Sequence, residues 1–252
     1  MKRLFALHNV RDLAQLARSN VLLAFDYDGT LAPIAVERER ATMRAETSAL
    51  FRKVCDLYAC AVISGRSQAD VALRLGGAGV KYVSGNHGLE PGRDLEVFAN
   101  EIAMSRPVLE LALAHDPGIE VEDKTYSLAV HYRRSAHQQR ARTAIHEAIR
   151  ALPIPVRVVT GKLVINIVPE RAANKGDALL ELRRLSAANC AFYVGDDVTD
   201  EDVFTRAQSD GIFTVRIGRS RTSAAKYFVR DQGEIDALLA ALIEFRLPSS
   251  SL

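Results

Sequence analysis

The sequence lacks the features that define several common classes of protein. Its 252 residues contain three cysteines, an odd number without metal-site spacing, which indicates neither a disulfide framework nor a zinc site. No segment approaches the ~18 consecutive apolar residues of a membrane span. Lys and Arg number 33 against 31 Asp and Glu, so no basic stripe for nucleic acid is indicated. The overall composition, with 48% hydrophobic and 25% charged residues, is typical of a globular protein that buries its own core.

The beginning of the chain gives an expectation about location. Its first residues start like a signal peptide, but Arg11 and Asp12 interrupt the apolar run too early. We therefore expect a cytoplasmic protein that binds neither a membrane nor nucleic acid, with its cysteines as reduced, buried small side chains.

Apolar runs alternate with helical periodicity at both ends of the chain. Residues Val21–Phe25 and 60–63 are continuous apolar runs, as in strands buried on both faces of a parallel sheet. Residues 46–58 place apolar side chains at helical spacing. This alternation predicts an α/β fold, a Rossmann-like parallel sheet with helices on both sides. Further strands are predicted at 81–84, 191–194 and 213–217, and further helices at 12–18, 175–185, 200–207 and 234–244.

The middle of the chain follows another pattern. Residues 125–132 and 156–167 alternate apolar with polar residues, which predicts half-exposed antiparallel strands, and 137–151 has the periodicity of a helix. The pattern predicts an α+β domain over 95–170, inserted into a core formed by 1–94 and 171–252. Because clefts between domains commonly bind small ligands, we expect the insert to take part in recognition.

The strongest chemical signal is the segment Asp26-Tyr27-Asp28-Gly29-Thr30, directly after a predicted buried strand. Ligand sites of open α/β sheets lie at the carboxyl ends of strands. Of two carboxylates on one turn, Asp26 can attack phosphorus while Asp28 exchanges protons with the leaving oxygen and with water. The alternative is a plain surface turn, since Asp and Gly are common turn residues.

A second acidic cluster, Gly195 to Glu201, again follows a predicted strand. Its four carboxylates repel one another unless a cation neutralises them, and a set of oxygen donors suits Mg²⁺. The alternative for Asp200 and Glu201 is that they cap the next helix.

Two shorter motifs lie at predicted helix starts. Ser64-Gly65-Arg66 offers a hydroxyl and backbone N–H groups to an anion, although a simple helix cap is the alternative. In Asn174-Lys175-Gly176 the lysine lies at the helix end that already carries positive potential, so it is misplaced unless it meets an anion; a solvated loop lysine is the alternative. Together the four motifs supply the groups that phosphoryl transfer needs.

In their order, these motifs resemble those of the haloacid dehalogenase superfamily phosphatases. The segments 26–34, 63–66, 85–90, 174–179 and 195–204 are similar, within that superfamily, to the trehalose-6-phosphate phosphatases. The resemblance implies an aspartyl-phosphate intermediate, hydrolysis of a sugar phosphate, and an insert that serves as a cap reading the sugar. It leaves open a partnership with the synthase that makes trehalose 6-phosphate.

The resemblance also implies a role for individual residues. It assigns Asp26 as nucleophile and Asp28 as general acid and base. The implied Mg²⁺ ligands are Asp26, Asp28 through its backbone carbonyl, Asp196 and Asp200. The implied phosphate contacts are Thr30, Ser64, Gly65, Arg66 and Lys175. The implied substrate contacts are Asn86, His87, Glu122, Lys124, Asn166 and Glu170.

One position departs from the family pattern. Members usually carry Glu where this chain has Asn166, which can bind a hydroxyl only as an uncharged amide, and Glu170 is the nearby carboxylate that compensates. The exact sugar is therefore open: sucrose 6-phosphate and a glycosyl-3-phosphoglycerate are the alternative substrates. A catalytically silent sugar-phosphate sensor is the alternative of another class.

Overall fold

The computed structural model of the protein describes residues 1–35, 40–161 and 163–247. The chain divides into two units. One unit comprises Met1–Gly88 with Asn174–Leu252, and the other comprises Leu89–Ala173. The first is discontinuous in sequence, so the second is inserted into it. The segment from Leu89 onward belongs with the inserted unit, because Leu89 packs in one apolar cluster with Phe98, Val168 and Ala172.

The first unit is built on the predicted parallel sheet, which has seven described strands, five of them predicted from the sequence. Its order from edge to edge is β1-β11-β10-β9-β2-β3-β4, so β9, β2 and β3 are neighbours near the middle. The strands are β1 (Lys2–Arg3), β2 (Val21–Phe25), β3 (Ala59–Ile63), β4 (Tyr82–Ser84), β9 (Cys190–Gly195), β10 (Ile212–Ile217) and β11 (Tyr227–Val229). The two short strands β1 and β11 carry no apolar run long enough to predict them.

Strand β2 is buried on both faces of this sheet. Leu23 and Phe25 belong to the apolar cluster on one face, while Leu22 and Ala24 belong to the cluster on the other. Burial of a large apolar side chain stabilises a fold by roughly 1.5–3 kcal/mol. This two-sided burial explains why the strand is a continuous apolar run instead of an alternating one.

Helices cover both faces of the sheet. Residues of α1, α2, α3 and α8 contribute to one cluster, and residues of α6 and α7 contribute to the other. These helices are α1 (Leu7–Ala17), α2 (Ala45–Leu57), α3 (Gln68–Leu75), α6 (Lys175–Leu185), α7 (Glu201–Asp210) and α8 (Ile235–Arg246). Helix α3 begins after Ser67, whose side chain accepts a hydrogen bond from the backbone N–H of Asp70.

The inserted unit is α+β, with an antiparallel sheet in the order β5-β6-β8-β7. Its elements are α4 (Leu95–Leu113), β5 (Glu120–Asp123), β6 (Leu128–His131), α5 (Gln138–Arg150), β7 (Val156–Gly161) and β8 (Val164–Pro169). Helices α4 and α5 pack on one face through Ile102, Leu109 and Ile145. The prediction of a strand from residue 125 is wrong at its start, because Thr125 adopts a positive φ of 70° in the turn before β6.

The chain leaves the first unit and returns to it at one place. Gly88 has a φ of 105°, and a Cβ built on it would lie 2.4 Å from the backbone oxygen of Asn174. Glycine is required there by both the positive φ and the close approach. After the return, Asn174 and Asp177 form a reciprocal capping box, which starts α6 at Lys175.

Within the described residues, no helix combines the length and the apolar character that crossing a bilayer requires.

Candidate active site

The candidate site lies at the carboxyl ends of three neighbouring strands. Asp26 follows β2, Ser64 follows β3 and Asp196 follows β9. Because the three strands are parallel and adjacent, their ends meet at one edge of the sheet. Motifs separated by up to 170 residues in the sequence are thereby brought to one place.

The segment from Asp26 to Thr30 is not a surface turn. Asp26 is 5% exposed, and its backbone N–H donates to the carbonyl of Val194 at 2.9 Å, which continues the pairing of β2 with β9. Gly29 has a φ of 79°, and a Cβ on it would lie 2.2 Å from Oδ2 of Asp196. The hydroxyl of Thr30 donates to Oδ1 of the same carboxylate at 3.3 Å.

Three carboxylates form a cluster suited to a metal ion. One oxygen each of Asp26, Asp196 and Asp200 lies within 4.8 Å of the other two. Nζ of Lys175 lies 3.0 Å from Asp26 Oδ1 and donates to Asp200 Oδ1 at 2.7 Å. Lys175 is 1% exposed, so the alternative of a solvated loop lysine is wrong.

The pKa shifts in this cluster indicate an excess of negative charge. Burial raises the pKa of Asp26 well above its usual range, against the opposing effect of Lys175. Burial and the charge of Asp200 raise the pKa of Asp196 to about 7. Burial alone would lower the pKa of Lys175, but Asp200 and Asp26 outweigh it and raise the pKa. Three carboxylates, of which Asp26 and Asp200 are buried and Asp196 is half-buried, fit a divalent cation bound by oxygen donors beside the one ammonium.

Asp200 also has the capping role that the sequence left open. Its Oδ2 accepts from the backbone N–H of Asp197 at 2.8 Å, and the two residues form a capping box at the short turn before α7. A Cβ on Gly195 would lie 2.3 Å from Oδ2 of Asp200, so only glycine leaves room for this carboxylate. The Asp200 side chain therefore both caps the turn before α7 and belongs to the carboxylate cluster.

The loops after β3 and β4 pack on each other. The side chain of Ser64 is fully buried, and its carbonyl accepts from the backbone N–H of His87 at 2.8 Å. Asn86 is buried with a φ of 46°, and its backbone N–H donates to the carbonyl of Arg66 at 2.7 Å. A Cβ on Gly65 would lie 2.4 Å from Cε1 of His87. The predicted residues Ser64, Gly65, Asn86 and His87 therefore form one continuous structure.

Arg66 contacts carboxylates of its own unit. Its Nε and Nη2 donate to the two oxygens of Asp28 at 2.6 and 2.7 Å, and its Nη1 donates to Asp70 at 2.8 Å. Burial alone would lower the pKa of Arg66, but these hydrogen bonds outweigh it and raise the pKa. Asp28 is thus held by a fixed cation.

The four predicted residues of the inserted unit lie in two places. Glu122 on β5 and Asn166 on β8 are both cross-strand neighbours of Ala129, which puts them on one face of the sheet. Glu122 pairs with His131 at 2.7 Å. Lys124 lies in the turn after β5, and Glu170 is exposed just beyond β8.

Two residues at the cluster were not predicted. The buried hydroxyl of Tyr193 donates to Asp200 Oδ1 at 2.7 Å. Arg216 on β10 donates to the backbone carbonyls of Asp196 and Asp197. Each is a polar group within a run that predicts a buried strand, and that is the signal by which they could have been found.

A parallel sheet carrying paired aspartates after one strand, a buried serine after the next, a buried lysine and an acidic cluster defines a protein of the haloacid dehalogenase superfamily. The family model for trehalose-phosphatase matches residues 24–232. The chain therefore belongs to the trehalose-phosphatase family.

Individual relatives agree with this membership. The chain is 34% identical to the trehalose-phosphate phosphatase of Mycobacterium ulcerans, over 75% of this chain and 52% of the relative. It is 30% identical to a probable trehalose-phosphate phosphatase 4 of Oryza sativa subsp. japonica, over 98% of this chain and 72% of the relative. The chain thus spans about half the length of the mycobacterial relative.

A solved structure shares the fold. The C-terminal domain of a trehalose-6-phosphate phosphatase from C. albicans superimposes with a TM-score of 0.75 at 21% identity, covering 94% of this chain and 97% of that one.

Proposed function

We propose that this chain hydrolyses trehalose 6-phosphate to trehalose and inorganic phosphate with Mg²⁺ as cofactor. The observation that carries the proposal is the buried cluster in which Lys175 links the carboxylates of Asp26 and Asp200. The names of the relatives support the substrate. The synthase that makes trehalose 6-phosphate enters as the supplier of substrate; direct binding to it is not part of the proposal.

The proposed reaction has two steps. An oxygen of Asp26 forms a bond to phosphorus while the bond from phosphorus to the sugar oxygen breaks, and Asp28 gives a proton to that oxygen. Asp28 then takes a proton from water, whose oxygen attacks phosphorus and releases Asp26 as a carboxylate. One water is consumed and both side chains return to their starting states.

The remaining residues orient the phosphoryl group and balance its charge. We assign contacts with its oxygens to the ammonium of Lys175, the hydroxyls of Thr30 and Ser64 and the backbone N–H of Gly65. Asp26, Asp196 and Asp200 would hold Mg²⁺ together with the backbone carbonyl of Asp28, and the cluster fits it because its donors are all oxygen. When bound, Mg²⁺ neutralises charge on the phosphoryl oxygens.

The inserted unit is proposed as the cap that recognises the sugar. Glu122 and Asn166 share one sheet face, so both can bind hydroxyls of one ligand. Lys124, Glu170, Asn86 and His87 complete the proposed set of substrate contacts. Asn166 is an amide where family members usually carry a carboxylate, and this favours a phosphatase for another sugar phosphate as the second candidate.

Phosphate release against a panel of sugar phosphates tests the function. The panel contains trehalose 6-phosphate, sucrose 6-phosphate, glucosyl-3-phosphoglycerate and glucose 6-phosphate, each with Mg²⁺ and with a chelator. We expect turnover of trehalose 6-phosphate that stops with the chelator and returns with added Mg²⁺. Preference for another sugar phosphate would contradict the proposal of trehalose 6-phosphate as the substrate and would indicate Asn166 as the cause. Binding without release from any substrate would instead establish a sensor.

Replacement of Glu122 tests the proposed cap. Loss of one charged hydrogen bond to a sugar hydroxyl costs about 1.5–3 kcal/mol, so Glu122→Gln should lower kcat/KM for the sugar phosphate by roughly 10- to 150-fold. Hydrolysis of p-nitrophenyl phosphate, which has no sugar, should not change. The matched control is Glu110→Gln, which also loses a 2.7 Å ion pair, with Arg106 on α4. An equal loss on both substrates would argue against recognition by Glu122.

A further inference from the structure

Arg66 forms a fork around the proposed acid and base. Each oxygen of Asp28 accepts from a different nitrogen of the guanidinium, at 2.6 and 2.7 Å, and the Arg66 side chain is only 4% exposed. A bidentate pair of this kind fixes the plane of the carboxylate as well as its distance. Its guanidinium carbon also lies 5.9 Å from the centre of the Tyr27 ring. Asp28 is therefore restrained in position and in rotation.

Further contacts hold the Arg66 side chain in place. The third nitrogen of Arg66 donates to Asp70, and Asp70 also accepts from Nε of Arg74 at 2.8 Å. Arg74 in turn donates to the carbonyl of Ala41 at 2.9 Å. Asp70 and Arg74 lie on α3, so a rigid helix supports the chain of contacts that ends at Asp28.

We propose that Arg66 is a positioning residue that orients the Asp28 carboxylate for proton transfer to and from the substrate. The inference rests on the proposed function, since it gives Asp28 the role of acid and base. It assigns Arg66 to Asp28 instead of to the phosphoryl group, because all three guanidinium nitrogens already donate to carboxylates.

The fork does not prevent Asp28 from exchanging a proton. A carboxylate oxygen has two acceptor positions, and the fork occupies one on each oxygen of Asp28. The side chain of Asp28 is 35% exposed, whereas that of Arg66 is buried behind it. One of the remaining positions can therefore hold the proton that Asp28 gives to the leaving oxygen in the first step, and it can accept a proton from water in the second.

Substrates with different leaving groups distinguish a positioning role of Arg66 from a general role in stability. A sugar alkoxide is a poor leaving group that needs a proton from Asp28, whereas p-nitrophenolate leaves without one. The ratio of kcat/KM for the sugar phosphate to kcat/KM for p-nitrophenyl phosphate therefore reports the alignment of Asp28. Damage to the fold or to the phosphate site lowers both values and leaves the ratio unchanged.

The test compares Arg66→Lys and Asp70→Asn with the wild type. Lysine keeps the charge but cannot form the fork, so Arg66→Lys should lower the ratio by about 10²-fold, the cost of a misplacement of about 1 Å. Asp70→Asn, which loosens the support but leaves Arg66 in place, should lower the ratio by a smaller factor. The matched control is Arg184→Lys, which removes a comparable but exposed fork to Glu181 on α6 and should leave the ratio unchanged.

The outcomes are distinct. If both substrates lose activity in parallel in Arg66→Lys and Asp70→Asn, the positioning role is overturned and the contacts are structural. If Arg66→Lys does not fold, the ratio measured for Asp70→Asn decides. If the wild type releases phosphate from neither a sugar phosphate nor p-nitrophenyl phosphate, the proposed function fails first, and this inference fails with it.

Discussion

Asp26→Asn is expected to abolish phosphate release from every substrate. The amide has the shape of the carboxylate but cannot attack phosphorus, and removal of a nucleophile costs on the order of 10⁶-fold in rate. The protein should remain folded, because Lys175 keeps its hydrogen bond to Asp200. Steady-state release of inorganic phosphate, with p-nitrophenyl phosphate as second substrate, measures the effect.

Asp28→Asn should give a different result in the same assay. Loss of general acid and base catalysis costs roughly 10²–10⁴-fold, so sugar phosphate turnover should fall but remain measurable. With p-nitrophenyl phosphate the first step needs no proton, and phosphorylated Asp26 should accumulate, visible as a covalent adduct by intact-protein mass spectrometry. Equal residual activity in the two variants, or an adduct on Asp26→Asn, would disprove this division of roles.

Lys175→Met should have the largest effect on stability. Removal of one partner from a buried ion pair costs about 3–5 kcal/mol, and here the loss leaves Asp26 and Asp200 without their ammonium. We expect lower free energy of unfolding at neutral pH and no detectable phosphatase activity. Urea unfolding in the presence of a chelator measures the first effect. Lys53→Met, on the exposed side of α2, is the control and should change neither property.

The stability of Lys175→Met should also decrease as pH rises. Burial and Asp200 already hold the pKa of Asp196 at about 7 in the folded protein, above about 3.9 in an unfolded chain. The folded state therefore binds more protons, and stability decreases as pH rises from about 4 to about 7. Lys175 opposes this shift, so Lys175→Met should lose stability more steeply over that interval. A flat profile would show that the cluster relaxes its charge in another way.

Much of the candidate site could be predicted because its chemistry is local. Asp26, Ser64 and Asp196 each follow directly on an apolar run, and the rules of parallel sheets bring the ends of such runs together. The unfavourable place of Lys175 at a helix start indicates that it meets an anion. Each signal depends only on a residue and its immediate neighbours.

The contacts made across the fold could not be predicted in this way. The fork from Arg66 to Asp28 and the hydrogen bond from Tyr193 to Asp200 depend on side-chain directions that spacing does not determine. Glycines 29, 65 and 195 resemble ordinary turn residues in the sequence. Their contacts with Asp196, His87 and Asp200 arise only when the loops have packed.

Helix α4 shows why a long element can escape prediction. Its buried side chains include Phe98 and Ile102, but Val97, Met104 and Leu111 are exposed, so apolar residues occur around the helix and its periodicity is weak. Pro107 lies inside it, where proline usually ends a helix. Packing against the sheet of the inserted unit outweighs both local signals.

The contact between Gly88 and Asn174 has a consequence for folding entropy. The backbones of Gly88 and Asn174 lie close together, so the inserted unit between them forms a closed loop in the chain of the first unit. This holds whatever the internal structure of the inserted unit. The entropic cost of closing a loop grows only with the logarithm of its length, so this interruption adds little to the cost of assembling the sheet. Lys175 is the next residue after the point of closure. The helix that carries the cation of the site therefore begins directly beside the contact that closes the loop.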